Sequence, residues 1–158
     1  MQHTKHSRLA QAHGLIRLSA IYDLIVTIGF AFLPTASLIF VGLQALHAEL
    51  GLSGELPSAS SSSTMMFVNL MGSVVTAWAL FRIFRPSLAA GAADTLARVL
   101  FSLAMITALA QGASPLIVVM LALEIAWGVA QAAVLVRARP RPAPAAAAQP
   151  VVSSDAHR

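Results

Sequence analysis

Four runs of mostly apolar residues dominate this chain, and each is long enough to cross a bilayer. They cover residues 15–33, 64–84, 95–111 and 115–136. About 20 helical residues span a hydrocarbon core of about 30 Å. Lipid offers no partner to a free N–H or C=O, so such runs must satisfy their backbones internally, as helices. The third run is the shortest, with Asp94 as its expected N-cap and Gly112 at its C-terminal end. The fourth opens on Ser114 as N-cap with Pro115 in the first helical position. "GAS" is all that separates the third run from the fourth, so these two helices are expected to be antiparallel neighbours.

Composition supports the same reading. Hydrophobic residues make up 58% of the chain and charged ones 10%, against about 25% charged in a soluble domain. The mean hydropathy is +0.78 and the pI about 11.2. A basic balance in a soluble chain points to nucleic acid. Here the ten Lys and Arg residues cluster at the ends of the apolar runs instead. Four spans put all ten on one side: the N-terminal segment, the loop between the second and third spans, and the C-terminal tail. The other side has none. The positive-inside rule then predicts both termini in the cytoplasm, in a bacterial inner membrane. No nucleic-acid partner is expected. The absence of cysteine rules out disulfides, thiol redox chemistry and thiolate metal sites. Arg17, Tyr22 and Asp23 interrupt the first run, so a cleaved signal peptide is not expected.

The expected fold class is therefore all-α: an integral membrane four-helix bundle, N-in/C-in. Residues 1–14 form a polar cytoplasmic N-terminus, 15–136 the membrane domain, and 137–158 a Pro/Ala-rich disordered cytoplasmic tail. Pro34 should break the first helix. Beyond it, residues 35–52 read as an amphipathic segment on the outer (periplasmic) side. Its apolar face is Ile39, Leu43, Leu46 and Leu50, while Phe40, Gln44 and His47 lie on a mixed face. The alternative is one long kinked helix from 15 to about 50. "SGELPSASSSS" then serves as a flexible linker into the second span.

Polar groups inside spans carry whatever chemistry there is, because charge in the membrane costs several kcal/mol. Glu124 lies nine residues into the fourth run and Ser73 nine residues into the second, at matching depth. Asn69, Ser73 and Thr76 make one helical stripe; Glu124, Gly128 and Gln131 make another. These stripes are expected to face each other, with Glu124, Asn69 and Ser73 as the candidate intramembrane polar site. Glu124 then reads as a protonated, hydrogen-bonded acid, acting either as glue between helices or as a site for protons, cations or a ligand. Asp23 and Arg98 sit at similar depth toward the inner side, both leaning to the cytoplasm, and form a candidate ion pair. Arg98 with Glu124 reads as the poorer pair, since the two side chains lean in opposite directions. Ser19, Asp23 and Thr27 share a face. His3, His6 and His13 match no metal motif, and His47 reads as solvated. No catalytic motif is present, and no cofactor or metal is expected.

Several stretches resemble small bacterial membrane proteins of the DoxX-like and BphX-like kind. They are "RLSAIYDLIVTIGFAFLP", "LQALHAELGL", "FVNLMGSVVTAWALFRIFRP", "ADTLARVLFSLAMITALAQGASP" and "LALEIAWGVAQ". The resemblance is one of layout over about residues 17–131, and it implies a four-helix membrane fold and an accessory role. Three functions follow as expectations. The first is a scaffold or accessory subunit bound to another membrane protein, a peripheral enzyme or a second copy of the chain. The second is a small proton-coupled transporter using Glu124. The third, a lipid- or quinone-directed enzyme, has the weakest footing without a catalytic constellation, so no enzyme is expected.

Overall fold

The computed structural model describes residues 2–138, with side chains from residue 6 onward. It comprises α1 (Gln2–Thr27), a 3-10 turn (Ile28–Ala31), α2 (Leu33–Glu49), α3 (Ser62–Phe84), α4 (Leu88–Ala110) and α5 (Ile117–Ala138). No strand forms among the described residues; there is one isolated parallel bridge, Glu55 to Ala113. Four segments are long and apolar enough to cross a membrane: His6–Ala31, Ser62–Phe84, Leu88–Ala110 and Ile117–Ala138. The tail expected over 137–158 lies outside the described residues from 139 onward.

Pro34 ends the first span by a break rather than a bend. Phe32 is extended, at φ −124° and ψ 134°, and α2 restarts at Leu33 with the proline in its first turn. A single kinked helix from 15 to 50 is therefore ruled out. Proline has no N–H, so the Phe30 carbonyl four residues earlier loses its helical partner. The Asn69 amide of α3 donates to that carbonyl at 2.8 Å. The Thr35 hydroxyl donates to the Gly29 carbonyl alongside.

α2 turns its mixed face, through Phe40 and His47, toward the bundle. Ala36 and Phe40 are buried against Met65, with Phe30, Leu43 and Val68 around them. His47 continues that inward stripe and its Nδ1 lies 2.8 Å from the Ser114 hydroxyl. Leu46 and Leu50, on the apolar face, are exposed. His47 is thus a bonded, half-buried residue rather than a solvated one. The linker after α2 is also tied down. Glu55 N–H donates to the Gly112 carbonyl at 2.9 Å, and Ser114 N–H donates to the Glu55 carbonyl at 2.8 Å. Residues 53–61 are thereby anchored to the α4–α5 turn.

Helix ends follow ordinary capping chemistry, with one shift. The Ser61 hydroxyl accepts from Thr64 N–H at α3, and the Ser87 hydroxyl accepts from Ala90 N–H at α4. Ser87, not Asp94, is therefore the N-cap of α4. The helix starts two turns earlier than expected and carries Asp94 in its interior. At the other end Gly112 adopts φ +93°. Ala113 N–H then reaches the Ala108 carbonyl and Gly112 N–H the Leu109 carbonyl, closing the helix as the left-handed residue allows.

α1 is the hub of the bundle. It packs against α3 and α5, and more lightly against α4, while α4 packs along α5. α3 and α4 follow one another across a short turn yet do not pack along their lengths. The interior faces read off the buried residues: Ala12, Ile16, Ser19, Ala20 and Asp23 on α1, Gly72, Ala79 and Arg82 on α3, Gly91, Asp94 and Arg98 on α4, Glu124, Gln131 and Leu135 on α5. Large apolar residues such as Ile25, Phe67, Val129 and Val119 point outward. On a water-soluble protein that surface would be a liability; around spanning helices it is where lipid packs.

Candidate functional site

The interior of the bundle is ionic. Five charged side chains from four helices converge in it: Asp23 (α1), Arg82 (α3), Asp94 and Arg98 (α4), and Glu124 (α5), none more than 9% exposed. Arg98 is the centre. Its Nη2 donates to Asp23 at 2.7 Å and 2.9 Å and to the Ser19 hydroxyl at 2.9 Å. Its Nη1 reaches Glu124 Oε2 at 2.8 Å, and its Nε reaches Asp94 Oδ2 at 3.2 Å. Arg82 completes the set through Nη1 to Asp94 Oδ2 at 2.7 Å and Nη2 to Asp23. A charge this far from water is tolerable only when paired and hydrogen-bonded.

A neutral shell holds the acids in place. The Trp78 indole N–H donates to Asp94 Oδ1 at 3.1 Å, and the Arg82 guanidinium sits 5.6 Å from the centre of the same ring. The Ser19 hydroxyl lies between Asp94 and the Gln131 amide oxygen. The Gln131 amide N–H donates to the Gly91 carbonyl at 3.1 Å, tying α5 to α4. Tyr22 packs its ring on Trp127, 5.5 Å between centroids.

The expected ion pair of Asp23 with Arg98 is present. The expected polar site of Glu124, Asn69 and Ser73 is not. Asn69 is occupied by the Phe30 carbonyl, and Ser73 faces outward. The depth match between Ser73 and Glu124 misled because α3 packs against α1 and the 3-10 turn, while α5 packs against α4 and α1. The two stripes have no shared interface. Glu124 accordingly takes its hydrogen bond not from Asn69 or Ser73 but from Arg98 on α4. The opposed lean of their Cβ atoms is overcome by the length of the arginine stem and the spread of its guanidinium fork. Arg82 and Asp94 were missed. A signal was available: Asp94 and Arg98 are four apart, a helical pairing distance, and Arg82 falls on the face set by Gly72 and Ala79.

Two openings reach the cluster. Between α3 and α4, where the helices part, lies a cleft of about 420 Å³. Its walls are largely apolar, including Met71, Val75, Phe101, Met105 and Met120, and the charged side chains of Asp23, Arg82, Asp94, Arg98 and Glu124 line it together with Trp78. A groove of about 320 Å³ runs between α4 and α5 past Val99, Ser102, Gly128 and Val129, and also ends on Arg98 and Glu124. Among the described residues no three acids or histidines are grouped to hold a metal ion; the guanidiniums occupy the space between the carboxyls. No protein-family model, curated protein or solved structure matches the chain.

Proposed function

We propose that this chain is a multi-pass protein of a bacterial inner membrane that binds an amphiphile drawn from the bilayer. The apolar body of the ligand lies in the cleft between α3 and α4, and its head meets the ionic cluster. The observation that carries this reading is the parting of α3 and α4 directly over buried charge. A bundle built only for stability would close that gap, because apolar packing replaces buried ion pairs at little or no cost. The cleft volume also falls within the usual range for small-molecule sites, about 300–1,000 Å³. The accessory role implied by the DoxX-like and BphX-like layout is compatible with such a site, as a ligand-binding subunit beside a larger partner.

Ala97 lines the cleft on α4, so Ala97→Phe should fill it. The assay is fluorescence of Trp78, in a Trp127→Phe background, with the protein in nanodiscs of zwitterionic lipid. Dodecyltrimethylammonium, dodecanol and dodecanoate are titrated separately. At least one should give a saturable change that Ala97→Phe removes. A linear partitioning response to all three, unaltered by Ala97→Phe, would sink the reading.

A proton-coupled transporter is the second reading. It is favoured by the position of Glu124, which borders both the α3/α4 cleft and the α4/α5 groove. Under either reading we propose that both termini are cytoplasmic, with α2 and residues 50–61 outside. A cysteine at Ser60 should then react with an impermeant maleimide added to intact cells. One at Ser87 should react only after lysis, and the reverse pattern would invert the threading.

A further inference from the structure

The cluster has an odd charge count. Asp23, Asp94 and Glu124 contribute three carboxyls, Arg82 and Arg98 two guanidiniums, and no other Lys, Arg or His enters the network. With every group ionised, one negative charge is left over inside the bundle.

The hydrogen bonds leave one carboxyl oxygen open. Asp23 uses both oxygens, on Arg98 and Arg82. Asp94 uses both, one on Trp78 and the other on the two arginines. Glu124 uses Oε2 alone. Its Oε1 has no partner, although Glu124 is only 9% exposed and forms part of the cleft wall. The three nitrogens of Arg98 and both Nη atoms of Arg82 bond carboxyls or Ser19, while Arg82 Nε, on a side chain that also lines the cleft, has no partner. The cleft thus offers an open acceptor, Glu124 Oε1, and, with every group ionised, an excess of one negative charge.

We propose that the amphiphile taken by this site is a monocation, with an ammonium-type head placed against Glu124 Oε1. This rests on the amphiphile-binding reading above. An anionic head would add to a cluster that already sets three carboxyls against two guanidiniums. A cationic head balances the count and gains a charged partner where little water competes. The cleft wall suits variable bodies. Met71, Met105 and Met120 come from three different helices, and methionine side chains are flexible and polarisable enough to fit several shapes. The competing way to balance the charge is a proton on Glu124, and that state predicts indifference to the head group.

The test uses the same nanodisc titrations. Dodecyltrimethylammonium should bind about tenfold more tightly than dodecanol, the effect of one partly shielded charge contact. Glu124→Gln, which keeps the shape and removes the charge, should abolish that preference, so that cation and alcohol bind alike. Glu124→Asp, which keeps the charge on a shorter arm, should retain part of it and guards against a misfolded glutamine variant. Equal binding of cation and alcohol, both lost in Ala97→Phe, would overturn the monocation while leaving the amphiphile reading standing. Tighter binding of dodecanoate would overturn it as well. No saturable binding by any of the three would remove both.

Discussion

Replacing Arg98 by methionine should destabilise the bundle more than any other charge deletion in this chain. The variant keeps the volume and helix propensity of the side chain. It removes the guanidinium that bonds Asp23, Asp94, Glu124 and Ser19 at once. Asp23 and Asp94 then share Arg82 alone, and Glu124 loses its cation. Removing one partner of a buried ion pair costs about 3–5 kcal/mol, because the other charge stays buried without compensation. The loss should fall on one interface above the rest. α1 and α4 touch only lightly, so the bonds from Arg98 to Asp23 and Ser19 are their main tie. The expected result is a large drop in Tm by differential scanning fluorimetry in mild detergent. Arg17→Ala, at an exposed site, should barely shift it.

Charge, rather than lost packing, should explain that drop. Arg98→Met combined with Glu124→Gln deletes one of the stranded carboxyls. The double variant should be more stable than the sum of the single effects, a favourable coupling readable from a double-mutant cycle. Arg98→Lys should fall between wild type and Arg98→Met, since one ammonium lacks the fork that reaches three helices. A methionine variant as stable as wild type would mean that the cluster does not hold α4 to α1.

The sequence and the structure part company over adjacency. The apolar runs, the Pro34 break and the Gly112 stop are local, and local chemistry makes them legible; α5 itself begins at Ile117, two residues past Pro115, with the Ser114 hydroxyl accepting from Leu116 N–H in the turn before it. So is the Asp23–Arg98 pair, where two side chains lean the same way at one depth. Glu124 was read against Asn69 and Ser73 because depth alone does not say which helices touch. The answer lies in Gly72, which lets α3 press against the 3-10 turn and carries Asn69 to the Phe30 carbonyl. Arg82 was counted among ten cations at one membrane side, whereas it is fully buried in the cluster. Asp94 was read as a cap because the apolar stretch starts after it. The helix runs back through "LAAGAA" to Ser87, small residues that hydropathy undervalues and that let α4 approach its neighbours.

Gly72 sets that adjacency, and adding even one carbon there should disrupt it. A Cβ at this position would lie 2.5 Å from the Phe30 carbonyl carbon and 2.6 Å from the Ala31 nitrogen. Both are backbone atoms of the 3-10 turn, so no side chain can swing away to make room. The turn itself is pinned by Asn69 and Thr35. α3 must therefore move outward, and it takes Asn69 with it, leaving the Phe30 carbonyl unpaired in an apolar setting. Overpacking alone costs about 1–3 kcal/mol, and an unmet buried carbonyl adds about 1–3 kcal/mol more. Gly72→Ala should thus lower Tm markedly, and Gly72→Leu should leave no monodisperse protein on size-exclusion chromatography. Gly42→Ala is the control. Nothing lies within 4 Å of a Cβ at that position in α2, and alanine is the better helix former by about 1 kcal/mol, so stability there should hold or rise. Equal Tm values for Gly72→Ala and wild type would show that α3 does not seat against the turn. In that case the gap between α3 and α4, which depends on α3 being held to α1, would lose its structural basis.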